Sequence, residues 1–417
     1  MRSRPVCLAL AVCFVACRKD PPPPPADAPV STTPPRPIAS PTPSPTQTTT
    51  PAPTIAASAP PLAADAGIAG CTRVAGPTPL AVAGPVALAS RLGAVDVVAL
   101  QGGAPAVLAT VPLAGSAAVK LASAAPSGRA ASPPCAVAGT FAFCTNPAGE
   151  LRRFKQLPDQ RYESDNFIAR PRSGSPVAAT LVGERPVVAF LRDRTTSEGQ
   201  TTEAYLVADD GTELRLSDDG AGATSIALVT RGPSAVVVYV DARRAMTPVH
   251  ARTVTLSPKP ALGKDAVLFI AGGAETHTRA ELGVRASGLA FALVPIARDV
   301  AFGLGVGKIE GEPRTDAPVT WSDYPNGLDP APIAATAGGE HVYVARVRPA
   351  AAAFGSPRVL EVGAVDDGTF APLGVVPTRG SPTDVAIASD HASGFVLAYT
   401  DGAGGAVERW ACGAKSR

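Results

Sequence analysis

From about residue 85 to the C-terminus, short apolar runs come in pairs. "PVAATLV" is followed across a turn by "PVVAFLRD", "ATSIALVT" by "AVVVYVDA", "PIAATA" by "HVYVARV" and "TDVAIAS" by "GFVLAYTD". A weaker copy reads "AELGVRA", then "GLAFALVP". Each run has strand length and stops at Gly, Pro or a polar turn, which predicts β-strands. Third runs follow: "EAYLVAD", "HARTVTL", "FGLGVGK", "RVLEVGA" and "VERWACG". Two of them lead into the same Asp-Asp-Gly-Thr, at Asp209 to Thr212 and Asp366 to Thr369. Asp-Gly is a strong hairpin signal, so each predicts a return into a fourth strand. With 40 glycines and 45 prolines in 417 residues, long helical periodicity has no room.

Two upstream stretches, "PVALASRLGAVDVVALQGGAPAVLATV" and "CAVAGTFAFCTNPAGELRRFKQL", fit the same scheme more loosely. First strands then begin near residues 85, 135, 176, 223, 279, 332 and 383. Their spacing, about 41 to 56 residues, is the range of four-stranded propeller blades. The expected fold is all-β: a β-propeller of seven four-stranded blades over residues 69–417, closed by strands from the N- and C-terminal ends. Tandem β-sandwiches are the alternative; they give no reason for the two ends to meet.

Four cysteines bear on that choice: Cys71, Cys135, Cys144 and Cys412. An even number in an exported chain favours disulfides, with free thiols as the alternative. In "CAVAGTFAFC", a two-residue turn at Gly139-Thr140 places Cys135 directly opposite Cys144. Glycine in the first turn position suits type II′. Counting outward, the cysteines form a non-hydrogen-bonded pair, with Cα atoms about 4.5 Å apart and within disulfide reach. Phe141 and Phe143 then share the opposite face and point to the core. By elimination Cys71 pairs with Cys412 and joins the two ends of the ring.

The N-terminal part has a different composition. Arg2 and Arg4 precede an apolar run from Val6 to Ala16, too short to span a bilayer, which needs about 20 residues. The end of this run, Phe14-Val15-Ala16-Cys17, resembles the lipobox of bacterial lipoprotein precursors. The resemblance implies a signal peptide over 1–16 and acyl chains on Cys17, holding the protein to the cell envelope. Arg18 in the next position, where an aspartate would favour the inner membrane, implies the outer membrane. A plain secretory signal cut after Ala16 is the alternative. From Pro21 to Pro61 the chain carries 16 prolines and 12 serines or threonines in 41 residues. Such a stretch cannot bury enough apolar surface to order itself. Residues 17–68 are therefore expected to be a disordered, extended tether.

Removing Arg2 and Arg4 from the 37 basic residues leaves 35, against 35 acidic ones. A neutral mature chain argues against nucleic acid, which requires a basic surface. His250, His277, His341 and His391 fall in four different repeats and are expected to be exposed. No phosphate loop, nucleophile elbow or zinc helix is present. "YVDARR", Tyr239 to Arg244, resembles a strand end of sialidase-like propellers. "SDDGAGAT" from Ser217, however, lacks the spacing and tryptophan of that family's aspartate box. The paired aspartates 209-210 and 218-219 read as turns that bond their own backbone, not as calcium ligands. No metal or cofactor is expected.

The ligand position of a propeller is the mouth of its channel, surrounded by loops linking one blade's outer strand to the next blade's inner strand. Two such stretches, "QRYESDNFIARPR" and "TWSDYPNGLDP", concentrate aromatic and charged residues. Tyr162, Arg170, Trp321, Asp323 and Tyr324 are therefore the candidate ligand residues. The expected function is that of a monomeric, membrane-tethered, non-catalytic binding propeller with a protein or glycan partner. The alternatives are an exported propeller enzyme acting on glycans or other polymers, and a scaffold subunit of an envelope complex.

Overall fold

A computed structural model describes residues 67–413, apart from 123–127, 131–134, 198, 219, 221, 243–246, 272–278, 299–300, 316–318, 325–331, 351–355 and 403. The expected signal segment 1–16, Cys17 and nearly all of the tether lie outside the described residues. Ile68, the last residue assigned to the tether, is buried at 2% exposure in the core. The folded ring therefore begins by Ile68.

Among the described residues, besides a short parallel pair, Val82–Ala83 with Gly128–Arg129, seven sheets of four or five strands arise in chain order, and each is a blade. Their inner strands are Ala87–Arg91, Ala136–Ala138, Val177–Val182, Ala223–Arg231, Glu281–Arg285, Ile333–Ala335 and Asp384–Ser389. All seven starts fall within two residues of the positions expected from the repeat. The first four strands of each blade add antiparallel one to the next, moving outward from the axis. Blades 4 and 5 each carry a fifth strand. Both Asp-Asp-Gly-Thr stretches turn into fourth strands, Glu213–Arg215 and Thr369–Val376. In blade 7 the fourth strand comes from the other end of the chain. Cys71–Leu80 pairs with Gly405–Cys412, with Cys71 opposite Cys412.

The ring is visible in the core. Apolar side chains form seven clusters, and each lies between two neighbouring blades, including blade 7 against blade 1. Every sheet thus buries both faces. That explains why second strands such as Ser234–Asp241 and Phe395–Thr400 are continuous apolar runs instead of alternating ones. Stacked sandwiches would leave outer faces wet and would alternate.

Two disulfides complete this packing. Cys71–Cys412 joins residues 341 apart in sequence. Cys135–Cys144 closes the hairpin around Gly139-Thr140, with Cα atoms 4.4 Å apart. Gly139 has φ +57°, and a Cβ there would stand 2.6 Å from Leu181 Cδ1 of blade 3. Phe143, on the far side of the strand from Cys144, is buried between blades 2 and 3, with Phe141 packed beside it.

A buried polar residue recurs in the upper half of the third strand of blades 3, 4, 6 and 7. Glu203 accepts from Tyr205 Oη at 2.8 Å and faces Arg194 at 3.4 Å. Glu361 accepts from Arg346 Nε and Arg348 Nε at 2.6 and 2.9 Å. His250, expected to be exposed, is 8% exposed. It stacks on Tyr239 at 4.7 Å, and its Nδ1 meets Asp265 at 2.7 Å. An imidazole flat against a ring and tied to a carboxylate is tolerated inside; its isolation in the sequence concealed both partners. His341 is half-buried, His391 is exposed, and His277 lies outside the described residues.

Glu408 is the member of this row in blade 7, and its cation comes from the closing strand. Arg73 Nε is 3.5 Å from its carboxylate and also lies over the Trp410 ring. Glu408 is fully buried, and neither oxygen has a hydrogen bond of good geometry. Burial pushes its pKa up to about 7, an effect that Arg73 only partly offsets. At Gly76, with φ +85°, the closing strand passes so near that a Cβ would stand 2.5 Å from Val407 O.

Two outcomes follow from this seam. Replacing both Cys71 and Cys412 with serine releases a closure spanning 341 residues. It should lower the unfolding free energy by about 2–5 kcal/mol in chemical denaturation. An unchanged midpoint would mean that strand pairing alone holds the ring. Glu408 binds its proton more tightly in the folded state, since its pKa there stands above the ordinary 4.5. Below pH 4.5 both states are neutral at this site; as pH rises towards 7, only the unfolded state gains from ionising, and stability falls. Glu408→Gln should remove that loss, leaving the variant more stable than the parent at pH 8 by roughly 2–3 kcal/mol and equal to it at pH 4.

Candidate functional site

The seven inner strands converge on a central channel, and their first residues form the wall of its upper half. The cavity there has a volume of about 800 Å³. Small residues such as Ala87, Ala136, Ala178, Ala334 and Ala386 make most of the wall. Seven strands meeting around one axis leave free space only where side chains are small.

Among these small residues stand three charged groups, the only ones lining the cavity among the described residues: Arg279, Glu281 and Asp384. Arg279 and Glu281 flank Ala280 where blade 5 begins. The Ala280 N–H donates to Ser225 Oγ of blade 4 at 2.9 Å, which fixes this start of strand against its neighbour. Leu282 faces blade 4, whereas Glu281 lies on the same side of the strand as Gly283, which faces blade 6. Arg279 Nη2 is 3.8 Å from Glu281 Oε2, a loose pair with 43% of the arginine side chain exposed. Asp384 begins the inner strand of blade 7. The backbone N–H groups of Val385 and, across the seam, of Val86 in blade 1 favour its ionised form.

Burial raises the pKa of Glu281 and Asp384, and in each case Arg279 acts against the rise. Both acids feel the same guanidinium, on either side of the small Ala334 and Ala335 of blade 6. The array is acid–base–acid, carrying one more negative than positive charge when ionised. Thr224 Oγ1, also at the channel wall, is buried without a hydrogen-bond partner.

The five ligand residues expected from sequence are placed elsewhere. Tyr162–Ala169 and Val319–Tyr324 are not linking loops but the fourth strands of blades 2 and 5. A third strand needs a partner for its outer edge, and these polar stretches supply one. Tyr162 packs against the cluster between blades 1 and 2, and its buried hydroxyl has no partner. Burial first, and then the charge of Asp96, push its pKa up. Arg170, just past the other end of that strand, is about 25 Å away. It is exposed and 3.6 Å from Glu150. Trp321, Asp323 and Tyr324 pair with Gly305, Gly303 and Phe302 on the far side of the ring. The two groups are therefore not brought together.

The paired aspartates do local work. Asp209 accepts from Arg185 Nε at 2.8 Å, and Asp210 accepts from the Thr212 N–H at 2.9 Å. In blade 6, Asp366 and Asp367 meet Arg285 and Lys308 of blade 5 at 3.1 and 3.0 Å. Among the described residues no three His, Cys, Asp or Glu side chains could hold a metal ion, and no helix is long and apolar enough to cross a membrane. Asp241 of "YVDARR" accepts from the Gly222 N–H; Arg243 and Arg244 lie outside the described residues.

Sequence reading overlooked Arg279, Glu281 and Asp384, although a signal was available. When the seven first runs are aligned, only "RAELGV" and "TDVAIAS" carry an ionisable residue where the others have Val, Ala, Ile or Thr. A charge at the narrowest position of the ring stands out only in that alignment.

No family model matches the chain, and no curated protein matches it. Solved structures similar to it include the β-propeller domain of Swd1 from Myceliophteria thermophila, at TM-score 0.45 and 14% identity over 79% of this chain and 97% of that one. A fucose-specific lectin from Aleuria aurantia has TM-score 0.40 and 14% identity over 66% of this chain and 89% of the lectin. A sialidase from Trypanosoma rangeli has TM-score 0.39 and 10% identity over 79% of this chain and 55% of the enzyme.

Proposed function

We propose that this protein is an exported, lipid-anchored propeller whose ring binds a partner at its channel mouth. The observation that carries the binding reading is the mouth itself: a channel of about 800 Å³ walled mainly by small residues and carrying three charged groups. Concave sites with a few placed polar groups are the usual form of a recognition site. Export is supported by the two disulfides, which form and persist in oxidising compartments. The lipid anchor rests on Phe14-Val15-Ala16-Cys17, since two or more acyl chains hold a protein firmly where one does not. Prolines from 21 to 61 would keep the ring away from the bilayer. The neutral charge balance is suited to a protein or glycan partner.

A second reading, an exported hydrolase, has one observation in its favour. Two carboxylates with raised pKa beside an arginine are the raw material of general acid–base chemistry.

Three measurements separate these readings. Palmitate labelling should be lost in Cys17→Ser and retained in Cys7→Ser; label persisting in the Cys17 variant would refute the anchor. Partners recovered with the full chain from detergent-solubilised membranes should disappear in Glu281→Gln/Asp384→Asn and survive in Trp321→Ala/Tyr324→Ala. The reverse pattern would move the binding face to the outer strand of blade 5. Release of reducing sugar from envelope glycans by the parent, absent from the mouth variant, would favour the hydrolase.

A further inference from the structure

We infer that the channel mouth receives a single cationic side chain, a lysine or arginine presented by a protein partner. This rests on the binding reading above and adds the chemistry of what is bound.

The first ground is charge balance. Glu281 of blade 5 and Asp384 of blade 7 share one guanidinium, Arg279, and the channel-facing residues of the other described inner strands carry no charge. The arginine is not locked to either acid: its distance to Glu281 is 3.8 Å, and its side chain is 43% exposed. At Asp384 the nearby N–H groups of Val385 and Val86 act together with Arg279 against the effect of burial. One negative charge is therefore left unmatched when both acids are ionised. A second cation would relieve it, whereas an anion would have to displace both acids from Arg279.

The second ground is shape. Beside the charged groups the wall is built largely from small residues such as Ala87, Ala136, Ala178 and Ala334, while the side chains of Val385 and Ile387 are buried between blades 6 and 7. A methylene stem fits such a wall, burying about 0.8 kcal/mol for each CH₂ group. No aromatic side chain lines the cavity among the described residues, so a sugar ring would have no face to stack on there.

Burial keeps both carboxyls above their usual range. As pH falls they take up protons earlier than exposed acids do, and the attraction for a cation is lost with them. Binding should therefore weaken on acidification below neutral pH.

The test is calorimetric titration of the full chain with N-acetyl-lysine amide and with its uncharged analogue N-acetyl-norleucine amide. The lysine probe should bind about tenfold more tightly than the norleucine probe, the value of one charge-assisted contact. Glu281→Gln and Asp384→Asn should each cancel most of that difference. Arg279→Gln should tighten the lysine probe by about fivefold, because it removes a like charge. A gain cannot come from misfolding, so this variant keeps the inference open to refutation even if the acid variants are unstable. Equal binding of the two probes, or weaker lysine binding in Arg279→Gln, would overturn the inference. If such a failure came while membrane partners still disappeared in the double acid variant, the binding reading would stand and only the cationic ligand would fall. Loss of neither partner nor probe in that variant would reject both.

Discussion

Closure of the ring is the constraint on which the rest depends. Each sheet here is apolar on both faces, and a sheet of that kind needs a neighbour on each side. In a row of such sheets the two end faces would be exposed; in a ring none is. The seven clusters between blades, with blade 7 against blade 1 among them, are that solution. The chain is linear, however, so one seam must be made by its ends. Cys71–Leu80 completes blade 7 there, and the Cys71–Cys412 bond ties the strand down.

The seam also has an electrostatic side. Blades 3 and 6 balance a buried glutamate with arginines from their own strands. Blade 7 has no such arginine of its own at Glu408 and receives Arg73 from the closing strand. Burying an acid without a well-placed partner is expensive, and its raised pKa records that cost. Arg409, on the opposite face of the same strand, donates to Pro112 O and Gly115 O and so ties blade 7 to blade 1. Both faces of the last third strand thus carry a polar tie, one made by the closing strand and the other by the first blade.

The same geometry creates the candidate site. Inner strands crowd the axis, so their side chains must be small, and what remains is a channel of about 800 Å³ at its upper half. An acid or arginine placed there is partly desolvated without being tightly paired. Glu281, Arg279 and Asp384 are in that position because they begin their strands, at the rim where the channel meets solvent. A fold shared by many propellers says nothing about the ligand; these three groups are what distinguish this channel mouth.

Period, strand type and the pairing of cysteines belong to local sequence. Runs repeating at about 50 residues, with Asp-Gly turns between third and fourth strands, specify the blades without reference to anything distant. Gly139-Thr140 sets the register that brings Cys135 to Cys144, because a two-residue hairpin has only one way to pair. Tertiary structure decided what local patterns do not contain. It turned the polar stretches at Tyr162 and Trp321 into edge strands, since only a neighbouring third strand creates the demand for one. It buried His250 by supplying Tyr239 from the neighbouring strand and Asp265 from the loop before Ala266–Ala271. And it brought Asp384, more than a hundred residues further along, to the same channel mouth as Arg279 and Glu281: convergence of that kind belongs to the closed ring and to no segment of the chain.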